Sequence, residues 1–367
     1  MANLAEIYYN LGNFKETEEL EVQVLDMRKK LLGVEHPDTL LSMGNLAATY
    51  SVLGNFKEAE ELEVQVLDMR KKLLGAEHPH TLVSMGNLAK TYSDLGNFKE
   101  AEDLEVQVLN MRKRLFGAEH PDTLLSMGNL ALTYSNMGNF KEAEELEVQV
   151  LDMRKKLLGA EHPHTLASMG NLAMMYSYLG NFKEAEELHI QVLGMRKKLL
   201  GAEHPHTLVC MGNLAATYCN QGNFKKAEEQ EVQVLDMRKM LLGAEHPDTL
   251  LSMGNLAVMY SNLGNFKEAE ELEVQVLDMR KKLLGAEHPH TLLSMANLAW
   301  TYSNLGNFKE AEELGVQVLD MRKKLLGAEH PDTLLSMGYL AGTYSNLGNF
   351  KEAEVLKVEL LNIIKRQ

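Results

Sequence analysis

Residues 39–80 read TLLSMGNLAATYSVLGNFKEAEELEVQVLDMRKKLLGAEHPH, and this 42-residue stretch decides the fold because the chain repeats it from end to end. Its opening segment recurs, with small changes, at Thr81, Thr123, Thr165, Thr207, Thr249, Thr291 and Thr333. A fixed period of this length is typical of a stacked array, in which each repeat buries its apolar face against its neighbours. The 367 residues therefore predict a repeat array rather than several globular domains.

The period divides the chain into nine repeats. Seven repeats between residues 39 and 332 are complete, the first lacks its opening four positions, and the last lacks its closing linker. The predicted array spans residues 1–367, with repeats at 1–38, 39–80, 81–122, 123–164, 165–206, 207–248, 249–290, 291–332 and 333–367.

Each repeat predicts two helices. Apolar side chains recur at helical spacing over residues 39–53, which predicts a first helix, here called helix A. Gly54 suits the left-handed residue that follows a helix. Asn55 then predicts the N-cap of a second helix, helix B, over Phe56–Leu74, with Glu58 in the capping-box position. The following linker is so short that it predicts an antiparallel return.

The two faces of helix A differ in how much they vary between repeats. Met43, Leu46, Ala47 and Tyr50 are identical in every repeat from residue 39 onward, which indicates a closely packed core. The opposite face holds positions 41, 45, 48 and 52 and their equivalents, here called the exposed stripe. Position 48 drifts through Ala48, Lys90, Leu132, Met174, Ala216, Val258, Trp300 and Gly342. Position 52 drifts through Val52, Asp94, Asn136, Tyr178, Asn220, Asn262, Asn304 and Asn346, and such variation indicates a surface that faces solvent.

The repeat resembles the tetratricopeptide repeat (TPR). Leu46, Ala47, Tyr50, the Leu-Gly-Asn-Phe turn at 53–56 and Ala59 match its small and large packing positions. The 42-residue period is similar to the kinesin-light-chain type of TPR, whose second helix is longer, whereas the ordinary motif has about 34 residues. HEAT repeats of similar length lack the Gly-Asn-Phe turn. The resemblance implies an all-α, right-handed superhelical solenoid of nine antiparallel helix pairs, with a concave ligand groove lined by helix A.

One position of the exposed stripe hardly changes. The position of Asn45 is asparagine in every repeat from Asn3 onward, except in the last repeat, which has Tyr339. In TPR proteins that bind peptides, an asparagine at the matching position often holds the peptide backbone, so the resemblance implies that role here. The alternative, which stays open, is that each amide bonds a neighbouring helix or water. The candidate groove residues are Asn45, Asn87, Asn129, Asn171, Asn213, Asn255, Asn297, Lys90, Asp94, Met174, Tyr178 and Trp300.

Two charged positions and one glycine need explanation. Glu63 and Arg70 fall inside the apolar arc of helix B, seven residues apart, so they cannot pair within that helix. We expect both to be partly exposed, because an obligatory buried ion pair would not tolerate the replacements His189, Gly315 and Lys357. Pairing between neighbouring repeats is the alternative.

Gly44 in mid-helix costs about 1 kcal/mol relative to Ala, and we expect neighbouring A helices to approach closely there.

Composition and motifs narrow the function classes. A formal net charge of −15 argues against nucleic-acid and membrane-surface binding. Two cysteines fit a reducing compartment, and the opening residues carry no secretory signal, so we expect a cytoplasmic protein. No phosphate loop, nucleophile elbow or zinc-binding helix motif occurs. Without these motifs we expect no cofactor and no catalysis. The number of histidines in the linker varies irregularly between repeats, so we also expect no metal site.

These observations predict a scaffold that binds a protein partner, as an extended peptide or segment, in the groove. Kinesin-light-chain arrays take acidic peptides through basic groove residues, but here the exposed stripe holds one cation, Lys90. A neutral peptide with apolar side chains therefore fits better. Two alternatives stay open. One is a structural solenoid that self-associates head to tail, since neither end has a clearly polar outer face. The other is a sensor segment of a larger multidomain switch protein.

Overall fold

The computed structural model describes residues 1–366, which fold into helices joined by short turns, and no strand occurs in that range. These residues divide into two compact units, Met1–Met175 and Tyr176–Gln367. The first holds α1 to α8 and most of α9, and the second holds the end of α9 and α10 to α18. The helices come in consecutive pairs, one pair to a 42-residue repeat, as the sequence predicted.

The A helices are α1 (Ala2–Asn10), α3 (Pro37–Val52), α5 (Pro79–Asp94), α7 (Pro121–Asn136), α9 (Pro163–Tyr178), α11 (Pro205–Asn220), α13 (Pro247–Leu263), α15 (Pro289–Leu305) and α17 (Pro331–Leu347). The B helices are α2 (Phe14–Leu32), α4 (Phe56–Leu74), α6 (Phe98–Phe116), α8 (Phe140–Leu158), α10 (Phe182–Leu200), α12 (Phe224–Leu242), α14 (Phe266–Leu283), α16 (Phe308–Leu325) and α18 (Phe350–Ile364).

The linker histidine caps helix A, a role that the sequence analysis missed. Helix α3 begins at Pro37, two residues before the predicted start. His36 is extended, with φ −67° and ψ 137°, and its Nδ1 accepts a hydrogen bond of 3.1 Å from the N–H of Asp38. The imidazole therefore satisfies one of the N–H groups that a helix start leaves without an intrahelical partner. The same contact recurs in later linkers, for example from the N–H of His80 to His78.

The turn between the two helices of a repeat depends on glycine. Gly54 has φ +78°, and the next N–H, that of Asn55, donates to the carbonyl of Tyr50 at 2.8 Å. Asn55 occupies the N-cap position of α4, but its side chain accepts no capping hydrogen bond. The predicted capping box is therefore wrong. The reason is local geometry, because Asn55 has ψ 60° and so lies outside the extended region in which a side chain reaches the first turn.

Helices α3, α5, α7, α11, α13, α15 and α17 each pack between two B helices, and this arrangement builds the core. One cluster joins Leu67 of α4, Leu82, Met85 and Leu88 of α5, and Val108 of α6. The methionine and leucine that never vary between repeats are thus core residues, as predicted.

Adjacent residues of a B helix reach different A helices. Val66 of α4 contacts the cluster that contains Met43 of α3, whereas Leu67 contacts the α5 cluster. Helix α4 therefore ties its own A helix, α3, to the next one, α5. This is how a repeat that cannot bury its apolar faces alone becomes stable in an array.

The mid-helix glycine does not mark a close contact between A helices, so that prediction is wrong. A Cβ added to Gly44 would meet no atom within 4 Å, and the same holds for Gly86 and Gly170. The small polar residues that flank it on α3 face α2 instead: Ser42 accepts from Arg28 at 2.7 Å, and Thr49 donates to Glu21 at 2.7 Å. Nothing in the structure explains the glycine.

Candidate peptide-binding groove

The exposed stripe faces solvent, as the variation between repeats predicted. The candidate residues that are exposed are Asn45, Asn87, Asn129, Asn171, Lys90, Tyr178 and Trp300. Those that are half-buried are Asp94, Met174, Asn213, Asn255 and Asn297. Position 41 of the stripe is apolar and exposed in most repeats, as at Leu41, Val83 and Leu125.

A cavity of about 420 Å³ lies between α5 and α7 and brings four of the candidate residues together. They are Asn87, Lys90 and Asp94 from α5 and Asn129 from α7. The other eight candidates do not line this cavity. Its remaining walls include Val83, Leu125, Leu132 and Thr133, and α6 contributes Glu105, Val108 and Arg112. Of these wall residues, Val83, Leu125 and Leu132 lie on the exposed stripe but were not among the candidate groove residues.

Lys90, the one cation of the exposed stripe, is neutralised within its own helix. Lys90 Nζ lies 2.6 Å from Asp94 Oδ2, one helical turn away on α5. Both residues line the cavity, and its other cation, Arg112, is buried in the wall, so the exposed part of the cavity presents an ion pair. This geometry favours an uncharged ligand over an acidic one.

The amides of the exposed stripe fall into two groups. Those of Asn45, Asn87 and Asn129 make no hydrogen bond within residues 1–366. Asn171 differs, because its Nδ2 donates to Glu147 Oε1 at 3.0 Å. The first group is available to a ligand, whereas Asn171 bonds a neighbouring helix.

The glutamate series of helix B is buried, so the expectation of partial exposure is wrong. Glu105 is 6% exposed, and its Oε2 accepts a hydrogen bond of 2.7 Å from Thr133 of the next repeat. Burial raises the pKa of Glu105 to about 7, and the bond from Thr133 acts in the opposite direction. Burial likewise raises the pKa of Glu63 and of Glu273 to about 7. A hydroxyl group from the next repeat makes this burial tolerable, because it replaces part of the lost hydration.

The arginine series bonds the next repeat in the same way. Arg70 itself is half-buried, so the expectation of partial exposure is confirmed for it. Arg112 is buried, and its Nη1 donates to Ser126 Oγ at 2.8 Å and to the carbonyl oxygen of Asp122 at 3.0 Å. In the described residues, the two charged series bond hydroxyl and carbonyl groups rather than each other, so ion pairing between repeats is not how they are satisfied. They hold successive repeats together through α7 and its equivalents.

A second cavity, of about 280 Å³, lies between α15 and α17 and has a different character. Trp300 and Tyr339 line it, and Gly315 and Gly342 stand where other repeats carry larger side chains. The Trp300 ring also meets Phe266 edge-on, with ring centroids 6.1 Å apart. The loss of the buried glutamate at Gly315 leaves this cavity without a carboxylate in its lining, whereas the first one contains Glu105 and Asp94.

The part of the chain that the structure describes contains neither a metal-binding cluster nor a candidate membrane-spanning helix. Within residues 1–366, no three His, Cys, Asp or Glu side chains come close enough to hold a metal ion. None of the helices described is both long and apolar enough to cross a membrane.

Comparison with known proteins identifies the repeat. A family model described as tetratricopeptide repeat matches residues 1–72, 149–198, 164–240, 233–282, 248–324 and 305–366. A second model with the same description matches residues 81–122 and 123–164. A comparison with curated proteins finds no match.

Solved structures extend this result. The nearly identical TPR-like repeats of a Podosopora anserina kinesin light chain are 38% identical, over 56% of this chain and 98% of that one, with a TM-score of 0.47. BtubC from P. vanneervenii is 21% identical, over 63% of this chain and 92% of that one, with a TM-score of 0.51. A Rap protein complexed with Competence and Sporulation Factor is 12% identical, over 90% of this chain and 98% of that one, with a TM-score of 0.54.

The last two likenesses show the fold, a TPR solenoid. The family models together match residues 1–72 and 81–366. The chain belongs to the tetratricopeptide repeat family.

Proposed function

We propose that the chain is a non-catalytic scaffold that binds an extended peptide or protein segment along the exposed stripe of α3, α5 and α7. The observation that carries the proposal is the cavity between α5 and α7, into which Asn87 and Asn129 bring amides without intramolecular partners. An amide offers one acceptor and two donors, which complements the N–H and C=O groups of an extended peptide backbone.

The surroundings of the amides favour a neutral ligand with apolar side chains. Leu125 and Leu132 are exposed beside the cavity, and burying them against a ligand is favourable. Asp94 already neutralises Lys90, so the exposed stripe offers an acidic peptide no unpaired cation. In this respect the groove differs from what the kinesin-light-chain resemblance implies.

The fold suits this role. TPR arrays mediate protein–protein interactions, and the Rap relative was solved complexed with Competence and Sporulation Factor. At 12% identity that relative supports the fold and not the ligand, so the choice of ligand rests on the groove residues of this chain.

A peptide array probed with the purified chain, followed by affinity measurements on the best binders, tests the proposal. Replacing Asn87 and Asn129 together by Ala should weaken binding by roughly 1–3 kcal/mol, since each neutral hydrogen bond contributes about 0.5–1.5 kcal/mol. Asn110→Ala is the matched control, because Asn110 is exposed on α6 and does not line the cavity. No binder on the array, or equal affinities for the double variant and the control, would refute the proposal.

Head-to-tail association is a second candidate, favoured by exposed core positions on α1 and α18. Leu361 is 54% exposed, whereas its equivalent Leu319 is 5% exposed against the next A helix. Leu4 is 43% exposed, whereas its equivalent Leu46 is 3% exposed. These two faces would complete the internal contact if they met in two copies, and such a contact need not close. Light scattering over a hundredfold concentration range at high salt should show growing mass, and a strict monomer throughout would exclude this candidate.

A further inference from the structure

The buried glutamate of helix B meets the next helix A at a threonine in four repeats. Thr49 donates to Glu21 and Thr133 donates to Glu105, each at 2.7 Å. Thr91 and Thr301 lie at the equivalent positions, near enough to Glu63 and Glu273 to lower their pKa but short of full hydrogen-bonding geometry. The threonine lies four residues after the asparagine of the exposed stripe, so the two side chains share one face of the helix.

Two repeats replace this threonine with methionine, at Met175 and Met259. At the first, Asn171 takes over and donates to Glu147 at 3.0 Å. At the second, burial raises the pKa of Glu231, while Ser252 and Asn255 lie near enough to lower it. Neither of those two reaches full hydrogen-bonding geometry, so both carboxylate oxygens of Glu231 stay unsatisfied.

Two further repeats keep the threonine but lack the glutamate. Thr217 lies opposite His189, and Thr343 lies opposite Gly315. In both cases the hydroxyl turns back to its own helix, from Thr217 to the carbonyl of Asn213 at 3.0 Å and from Thr343 to that of Tyr339 at 3.2 Å.

These eight junctions follow one order of preference. A carboxylate removed from water must accept a hydrogen bond, or its burial costs free energy. The threonine hydroxyl supplies that bond to Glu21 and to Glu105. Where methionine removes the hydroxyl, the asparagine turns toward the carboxylate: Asn171 donates to Glu147, and Asn255 lies near Glu231.

We propose that the residue four positions after each stripe asparagine decides whether that amide is available to a peptide. Thr49, Thr91 and Thr133 release Asn45, Asn87 and Asn129, whereas Met175 ties Asn171 to Glu147. The peptide segment therefore engages α3, α5 and α7 and loses its amide contact at α9. This inference rests on the proposed function, and it makes these threonines positioning residues that need not touch the ligand.

Reciprocal substitutions test the inference. Thr133→Val removes the hydroxyl with little change of shape and should draw Asn129 onto Glu105, weakening peptide binding about two- to tenfold, the equivalent of one neutral hydrogen bond. Met175→Thr should release Asn171 and strengthen the binding of a peptide long enough to reach α9 by a similar factor. Thr133→Ser keeps the hydroxyl and should bind as the unmodified chain does.

A second readout does not depend on any peptide. In a chain labelled with ¹⁵N at asparagine, at pH 8, where Glu105 is ionised, the side-chain amide of Asn129 in Thr133→Val should exchange protons with water more slowly. The amide of Asn171 in Met175→Thr should exchange faster. Thr217→Val is the matched control, since Thr217 has no carboxylate opposite it, and Asn213 should not change.

The two readouts separate the possible failures. If no peptide binds but the amides exchange as stated, the proposed function fails and the threonine rule holds. If a peptide binds but Asn129 and Asn171 keep their exchange rates and affinities in the variants, the inference is overturned and the groove proposal stands.

Discussion

The junction of α6 with α7 and the junction of α8 with α9 are built from nearly the same residues, yet they leave different groups for a ligand. At the first, Thr133 satisfies Glu105 and Asn129 stays unpartnered. At the second, Met175 cannot donate, so Asn171 donates to Oε1 of Glu147. Both junctions bury the same core of leucine and methionine. Near-identical repeats thus share a fold while one buried side chain changes what the surface offers.

Of the changes considered, removing the repeat that carries Met175 should have the largest effect on stability. Deletion of residues 165–206 should leave a folded helical protein with a lower denaturant midpoint, because a helix pair and one stacking contact are lost from an array of nearest-neighbour contacts. The deletion also places Thr217 where Met175 stood, so Thr217 should now donate to Glu147. Circular dichroism with urea titration measures the midpoint, and loss of all helicity would contradict the repeat-array account.

The pH dependence of stability should have opposite signs at the junction that contains Glu105 and at the junction that contains His189. Burial raises the pKa of Glu105 to about 7, so its contribution is fully present below about 4.5 and is lost as the pH rises through 7. Burial lowers the pKa of His189 to about 4, so its contribution is present above about 6.5 and is lost as the pH falls. Each group changes the free energy of unfolding by at most about 1.4 kcal/mol per pH unit.

His189→Glu restores the residue of the other repeats and isolates this effect. Relative to the unmodified chain, the variant should gain stability as the pH falls from 8 to 5, measured by urea unfolding at each pH. A difference in stability between the two proteins that stays constant over this range would contradict the assigned burial of His189.

A smaller difference in stability should separate the alanine variants of Asn171 and Asn129. Asn171→Ala should lower the free energy of unfolding by about 0.5–1.5 kcal/mol, because Glu147 loses its donor. Asn129→Ala should leave stability nearly unchanged, since its amide has no intramolecular partner. Urea midpoints of the two variants at pH 8 make the test. Equal losses would mean that both amides are structural.

Sequence periodicity predicted the fold because the core positions carry the pattern directly. The repeats, the helix pairs, helix B at Phe56–Leu74 and the core residues Met43 and Leu46 all follow from spacing. The capping of helix A by His36 did not, because histidine is an uncommon N-cap and its role depends on the extended backbone before Pro37.

The candidate site was predicted only in part. Spacing placed Asn87 and Asn129 on the exposed stripe, but it could not show that Lys90 is paired with Asp94. It also assigned Glu63 to a partly exposed position, because a hydrogen bond from the next repeat is invisible to a helical wheel. The sequence did contain one signal of these contacts. The threonine four residues after the stripe asparagine changes to methionine only at Met175 and Met259, and each of these follows a repeat that keeps its glutamate.

The most direct test of the groove follows the asparagine side chains while a peptide from the array is added. With ¹⁵N-asparagine labelling, the account predicts that the side-chain amide resonances of Asn87 and Asn129 shift on titration, while that of Asn171 stays with Glu147 and does not move. A peptide that binds while Asn87 and Asn129 remain unperturbed, or that shifts Asn171 equally, would contradict it.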